Sequence, residues 1–126
     1  MYEPEFTVIT PTYNIVDNNQ ADDFTLLVSL LGKQTYPYIE HIVIDNNSQD
    51  GTVDFLKEYK NGGYISFFSE PDRGKFDAMN KGILRAKGKY IGFLSCDDFY
   101  HDITGIADVV NVMEEENADF CFFPSY

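Results

Sequence analysis

Tryptophan is absent from the 126 residues, and cysteine occurs only twice, at Cys96 and Cys121. Two cysteines do not make a disulfide framework, and neither stands with His at zinc-ligand spacing. Free thiols in a reducing cytosol are the simplest account. Basic residues are scarce: 9 Lys and Arg stand against 21 Asp and Glu, a formal net charge of −12. That balance argues against a nucleic-acid backbone as partner and against an anionic membrane held by charge, because both need a basic face. Acidic excess by itself serves solubility. A phosphorylated ligand would need a local cation, either a basic side chain or a bound metal. Long apolar runs are missing too, which excludes a transmembrane helix. The start, Met1-Tyr2-Glu3-Pro4-Glu5, is acidic and lacks the apolar stretch of a signal peptide, so the expected location is the cytoplasm. No Gly-x-Gly-x-x-Gly follows the first apolar run and no Gly-x-x-x-x-Gly-Lys occurs, which argues against a dinucleotide oxidoreductase and a P-loop NTPase. His41 and His101 form no triad with any Ser, so Ser-His-Asp hydrolysis has no support.

What is present supports one core. Apolar residues make up 44% of the chain and aromatic residues 16%, far from a disordered composition, and the length suits one domain. Strand-like runs alternate with helix-period segments, the pattern of βαβ units and a mainly parallel sheet with helices on both faces. Phe6–Thr10 reads as a first strand that Pro11 ends, since Pro offers no N–H to a ladder. Phe24, Leu27, Val28 and Leu31 mark the core face of a helix over Ala21–Lys33. His41–Ile44 is the second strand. Asp50 is placed to cap a second helix with Val53, Leu56 and Tyr59 inward, which Asn61-Gly62-Gly63 ends. Tyr64–Phe68 is a third strand. Phe76, Met79, Ile83 and Ala86 mark a third helix, closed by Gly88. Tyr90–Leu94 is a fourth strand, Ile106, Val109, Val110 and Met113 mark a fourth helix, and Ala118–Phe123 reads as a fifth strand.

Ligands of such sheets sit beyond the carboxyl ends of the strands. Those ends carry Thr10-Pro11-Thr12-Tyr13-Asn14, Asp45-Asn46-Asn47, Asp72-Arg73-Gly74-Lys75 and Asp97-Asp98, and this concentration of polar groups marks a candidate site. Asp97 and Asp98 are adjacent carboxylates directly after a buried strand, a repulsive arrangement that a hard divalent cation relieves. A turn or helix-start pair is the plainer alternative. Arg73 suits phosphate through its planar fork; with Lys75 it could equally sit in solvent or pair with Glu70 or Asp72. Tyr13 could stack on a flat ring or simply pack. Asp45 could accept from a base N–H or a ribose hydroxyl, or form a turn with Asn47 or Ser48. Cys96 reads as a small packed residue, because neighbouring carboxylates raise a thiol's pKa.

In order along the chain, four segments resemble the family 2 glycosyltransferases of the GT-A fold. They are Phe6–Asn14; Gln34–Pro37 with Ile42–Thr52; Ser69–Ile83; and Gly88–Asp98. The resemblance covers Phe6 to Phe123. It implies inverting transfer of a sugar from a nucleotide-diphospho-sugar, most often a UDP-sugar, to an acceptor hydroxyl, with Mn2+ or Mg2+. The acceptor would be a saccharide or lipid-linked saccharide, as in polysaccharide biosynthesis. By position, Pro11 and Tyr13 would line the base pocket with Thr10 and Thr12 close by. Asp45 would bond the uracil edge, Asp72 and Arg73 would sit beside the nucleotide, Asp97 would hold the ribose or a water, and Asp98 would coordinate the metal. Cys96 stands where the family often has Ser, Ala or another small or polar residue. In the family the acceptor half and the catalytic base come later in the chain, so no base is named here. The expectation is a single donor-binding domain over residues 1–126 lacking that half, whose uncovered apolar surface could drive homo-oligomerisation. The rival reading is a shortened, non-catalytic nucleotide-sugar-binding module. A phosphoacceptor receiver has similar length, but its acidic pair follows the first strand, where this chain has Thr10-Pro11.

Overall fold

In the computed structural model, which describes residues 5–96 and 105–116, strands and helices alternate. The order is β1 (Phe6–Thr12), α1 (Ala21–Gly32), β2 (Ile39–Asp45), α2 (Thr52–Asn61), β3 (Ser66–Ser69), α3 (Lys75–Arg85), β4 (Tyr90–Phe93) and α4 (Gly105–Glu116). The four strands form one parallel sheet in the order β3-β2-β1-β4. The anticipated fifth strand, Ala118–Phe123, lies outside the described residues.

Strand parity divides the sheet. Val8 pairs with His41 and Thr10 with Val43, so Phe6, Val8, Thr10 and Thr12 share a face with His41, Val43 and Asp45. That face is covered by α1, α2 and α4. Phe6 and Val8 pack with Leu27 and Leu31 of α1 and with Ile106, Val109, Val110 and Met113 of α4. Val43 packs with Phe24 and Val28 of α1 and Leu56 of α2. The spacing of those four α1 and four α4 residues is the one the sequence predicts. Gln34, buried after α1, accepts the Ile106 N–H at 3.1 Å and satisfies one of the open donors at the start of α4. The opposite face, Ile9, Ile42 and Ile44, is met by Ala78 of α3.

Two expectations fail there. Pro11 does not end β1: the strand runs to Thr12, with Pro11 in register with Ile44 and Thr12 with Asp45. The reason is directional. The even positions of β1 bond towards β2, as in Phe6 N–H to the Tyr38 carbonyl and Asn46 N–H to the Thr12 carbonyl. The odd positions bond towards β4, and that ladder's last register pair is Ile9 with Phe93. Pro11's missing N–H therefore faces the side where the ladder has already stopped.

The core face of α3 is the second. Phe76 is 79% exposed, and Ile83 and Leu84 are also exposed; Ala78 is buried instead, and of the expected set Ala86 does pack against Ile9, Ile42 and Ile44. Gly82 explains the rotation: a Cβ there would stand 2.5 Å from Ile9 Cγ2. The helix lies against β1 and β2 through its smallest residues, and close approach, rather than side-chain bulk, sets which stripe faces the sheet. Nor does Gly88 close this helix, which ends at Arg85. Gly88 lets the chain pass β1, where a Cβ would meet the Thr7 nitrogen at 2.7 Å and the Glu5 carbonyl oxygen at 2.8 Å.

Candidate functional site

The carboxyl ends of β1, β2 and β4 and the start of α3 enclose a pocket of about 320 Å³. From β1 come Pro11, Thr12 and Tyr13, and from the end of β2 comes Asn46. Asp72 and Gly74 contribute from the loop before α3, Ala78 from the first turns of α3, and Ser95 from beyond β4. Three of the four clusters that the sequence places at the strand ends thus meet in one cleft. The fourth, Asp97-Asp98, lies outside the described residues.

The ring of Tyr13 is 56% exposed at this rim. Its loop is pinned to the loop after β2. Asn14 N–H donates to Ser48 Oγ at 2.8 Å, Gln49 N–H to Asn14 Oδ1 at 3.1 Å, and Asp17 N–H to Asp50 Oδ2 at 2.8 Å. Asn14 and Asn47 sit at φ 47° and 46°, the left-handed region that Asn tolerates better than most residues. The N-cap of α2 is Gly51 rather than the expected Asp50, which stands one residue earlier and whose Oδ1 accepts the Thr52 N–H at 3.1 Å. Gly51 supplies the φ of 94° that turns the chain into the helix.

Thr10 and Asp45 are not on the pocket wall. Thr10 is fully buried, and its Oγ1 shares a 2.8 Å hydrogen bond with His41 Nε2. His41 is buried against Phe24, with ring centroids 6.2 Å apart. Burial lowers its pKa from 6.5 to about 4, so it is a neutral core group. Asp45 is 0% exposed and its carboxylate accepts four hydrogen bonds. Oδ1 takes Thr12 Oγ1–H at 2.7 Å and Ser48 Oγ–H at 2.7 Å. Oδ2 takes Ser48 N–H at 2.9 Å and Ser69 Oγ–H at 2.8 Å. The turn with Ser48, the alternative role for Asp45, is what the geometry contains. Thr12 and Ser69 flank Asp45 directly in the ladder register, so the carboxylate ties β1, β2 and β3 together.

Sequence reasoning places Asn46 in a strand-end cluster but gives it no role of its own, although parity could have singled it out. Asp45 lies on the α1 and α2 face, so the next residue turns to the α3 face, where Pro11 and Ala78 also lie. The loop from Glu70 to Gly74 is held on all sides. Glu70 N–H donates to the Asp45 carbonyl at 3.0 Å, and Asp72 N–H to Asn46 Oδ1 at 2.9 Å. Arg73 N–H donates to Asp77 Oδ2, and Gly74 N–H to Asp72 Oδ1, both at 2.9 Å. Lys81 Nζ reaches the Pro71 carbonyl at 2.6 Å and Glu70 Oε1 at 3.4 Å. Glu70 therefore pairs with Lys81, and with Arg85 at 3.9 Å, rather than with Arg73. The Arg73 side chain is exposed and has no ion-pair partner among the described residues. Also among those residues, no group of three or more His, Cys, Asp or Glu could hold a metal ion, and no helix is long and apolar enough to cross a membrane.

Known proteins share this architecture. The chain superposes on the mannosyltransferase PcManGT of Pyrobaculum calidifontis, solved in complex with GDP-Man and Mn2+. The TM-score is 0.74 at 26% identity, over 89% of this chain and 33% of that one. It is 30% identical to the uncharacterized glycosyltransferase YibD of Escherichia coli, across 94% of this chain and 35% of the relative. It is 32% identical to WfaP of Escherichia coli, a UDP-Glc:alpha-D-GlcNAc-diphosphoundecaprenol beta-1,3-glucosyltransferase, across 95% of this chain and 45% of the relative. The chain thus spans less than half the length of these curated relatives. The model of the family described as "Glycosyl transferase family 2" matches residues 7–126, which takes in every strand-end cluster met above. With that match and a parallel α/β sheet of the GT-A kind, the chain belongs to glycosyl transferase family 2.

Proposed function

We propose that this chain is the donor-binding part of an inverting, metal-assisted hexosyltransferase. Its donor is a nucleotide-diphospho-sugar, a UDP-sugar in the first instance. Its acceptor is a hydroxyl of a saccharide or lipid-linked saccharide met in the cytoplasm. The observation that carries the reading is the pocket itself, which gathers Pro11, Thr12, Tyr13 and Asp72 from separate segments at the carboxyl end of the sheet. WfaP's UDP-Glc supports uridine, and PcManGT's Mn2+ supports the metal.

In this reading Tyr13 stacks on the base while Pro11 and Thr12 wall it. Asp72 and Arg73 stand beside the nucleotide, with the Arg73 guanidinium, free of a competing carboxylate among the described residues, directed to phosphate oxygen. Thr10 and Asp45 act beneath the wall: each is buried and satisfied by protein partners, and Asp45 fixes Thr12 and the Tyr13 loop through Ser48. Asp97 serves the ribose, and Asp98 would hold Mn2+ or Mg2+. Their donor chemistry fits, since carboxylate oxygens are what these hard ions take, and Ser95 on the pocket wall precedes Asp97 by two residues and Asp98 by three. When bound, such an ion offsets the diphosphate charge and stabilises the departing nucleoside diphosphate.

Isothermal titration of the chain with UDP and MnCl2 tests the reading. Saturable binding that Asp98→Ala weakens at least tenfold is the expected result. Absence of binding by the folded chain, or equal binding by Asp98→Ala, overturns it. Turnover of a UDP-sugar, with water as acceptor and dependent on Asp98, would separate the enzyme from a non-catalytic binding module.

A further inference from the structure

Lys81, in the middle of α3, is held by the protein more than by solvent. Its side chain is 20% exposed, against 60% for Lys57 and 48% for Lys89, which also form ion pairs. An ammonium carries three protons, and this one faces three acceptors. They are the Pro71 carbonyl at 2.6 Å, Glu70 Oε1 at 3.4 Å and Asp77 Oδ2 at 3.7 Å. Asp77 stands one turn earlier on α3, and the same Oδ2 accepts the Arg73 N–H at 2.9 Å. The backbone is thus gripped on both sides of Asp72, at residue 71 by Lys81 and at residue 73 by Asp77. Arg85 backs the grip, with its guanidinium 3.9 Å from Glu70 Oε1 and 4.3 Å from the centre of the Phe68 ring. Within the clamp, Asp72 Oδ1 takes the Gly74 N–H at 2.9 Å, and Oδ2 has no protein partner among the described residues. Asp72 lines the pocket, and Lys81 does not.

We infer that Lys81 is a positioning residue of the donor pocket, which with Asp77 clamps the backbone on both sides of Asp72 and sets that carboxylate on the wall before a ligand arrives. The inference rests on the proposed donor-binding reading and names a residue that serves it from outside the pocket. A loop fixed in its bound conformation leaves less ordering cost to binding. A lysine ammonium is a compact point charge with three rotatable donors, so it can meet three acceptors that converge from different directions. Without it the Glu70 and Asp77 carboxylates face each other uncompensated, and the Pro71 carbonyl loses its donor. Those acceptors occupy the ammonium, so its effect on an anionic ligand runs through Asp72 and not through a direct contact.

The experiment measures UDP binding with MnCl2 by titration calorimetry on the full chain, for wild type, Lys81→Met, Asp72→Ala and the double variant. Asp72→Ala should weaken binding. Lys81→Met should raise the dissociation constant by about fivefold or more when Asp72 is present, and by less than about twofold when it is absent, since the clamp then has nothing to position. Lys57→Met removes the same charge from an exposed pair on α2 and should leave binding unchanged. Amide hydrogen exchange on the ligand-free chain gives a second readout. The Arg73 and Gly74 N–H groups should exchange about tenfold faster in Lys81→Met while the amides of β1 and β2 keep their rates, a pattern that general destabilisation does not produce. Thermal melts confirm that each variant is folded, and Asp77→Ala, which opens the other arm of the clamp, should reproduce both effects. Wild-type affinity in Lys81→Met overturns the inference, as does unchanged exchange at residues 73 and 74. An equal loss with and without Asp72 overturns it too, because the lysine would then act as a distant charge. No binding of UDP by the wild type would overturn the donor-pocket reading instead, while the exchange rates, measured without ligand, would still decide whether Lys81 orders the Asp72 loop.

Discussion

Acidification should weaken this protein through His41 in a way that one substitution can isolate. The imidazole is buried between Phe24 and the sheet, and its Nε2 is bonded to the buried Thr10 hydroxyl. Burial holds its pKa at about 4 against 6.5 when exposed. Between those values the unfolded chain binds a proton that the native chain refuses, so stability falls as pH drops through this window and levels off below about 4. Above 6.5 both states are neutral and the group contributes no pH dependence. With about 1.4 kcal/mol per pH unit of unmatched protonation, the loss between pH 7.5 and 4.5 comes to roughly 2–3 kcal/mol. That is a large fraction of a small domain's stability. Acidification also relieves repulsion among the many carboxylates, which acts in the opposite direction, so the diagnostic quantity is a difference. Urea unfolding followed by far-UV circular dichroism or tyrosine fluorescence at both pH values gives it for wild type and for His41→Gln. Gln places an amide near Nε2 that can still meet Thr10 but does not titrate. The wild type should lose roughly 2–3 kcal/mol more than His41→Gln over this range. Parallel losses in the two proteins would refute the assignment of a neutral buried imidazole.

Gly82→Ala should destabilise by about 1–3 kcal/mol despite the better helix propensity of Ala, because the new methyl meets Ile9 Cγ2, which is fixed to a branched Cβ and cannot swing away; chemical denaturation measures it. Asp45→Ala should cost about 3 kcal/mol by stranding four donors, whereas Asp45→Asn should cost about 1 kcal/mol. In the Asn variant the remaining oxygen can accept the Ser48 N–H and the Ser69 hydroxyl, while the Thr12 and Ser48 hydroxyls turn to accept from the new NH2; equal losses for the two variants would contradict that reversal.

The sheet and most of its helices were legible in the sequence because hydrophobic periodicity reports burial directly. Phe24, Leu27, Val28 and Leu31 could face only one way, and so could Ile106, Val109, Val110 and Met113. In α3 the same signal misled. A helix that touches the sheet through Ala78 and Gly82 shows no apolar stripe at its contact, and its bulky residues fall on the outer side. Pro11 misled for a related reason: whether a missing N–H matters depends on which neighbour the position faces, and a single strand does not state that. The strand-end clusters were legible as a group, yet the partition between wall and foundation was not. Asp45 is the more chemically expressive residue and Asn46 the plainer one, but strand parity sends the carboxylate to the covered face and the amide to the cleft.

The hydrogen bonds of the Glu70–Gly74 loop also bear on how so acidic a chain could hold a diphosphate. Pro71 has no N–H, and the N–H groups of Glu70, Asp72, Arg73 and Gly74 all donate inside the protein. This loop therefore cannot cradle phosphate oxygens with its backbone, as a glycine-rich phosphate loop does. Its amides are used instead to fix Asp72 and the Asn46 carboxamide in place, so the wall is organised before a ligand arrives and little ordering cost falls on binding. On the proposed reading, compensation of the diphosphate charge falls to groups outside those amides, such as the exposed Arg73 side chain. On that reading, base recognition falls to rigid backbone-held groups and charge compensation to the rim. A protein with 9 basic residues and 21 acidic ones can in this way accept an anionic donor without a basic face.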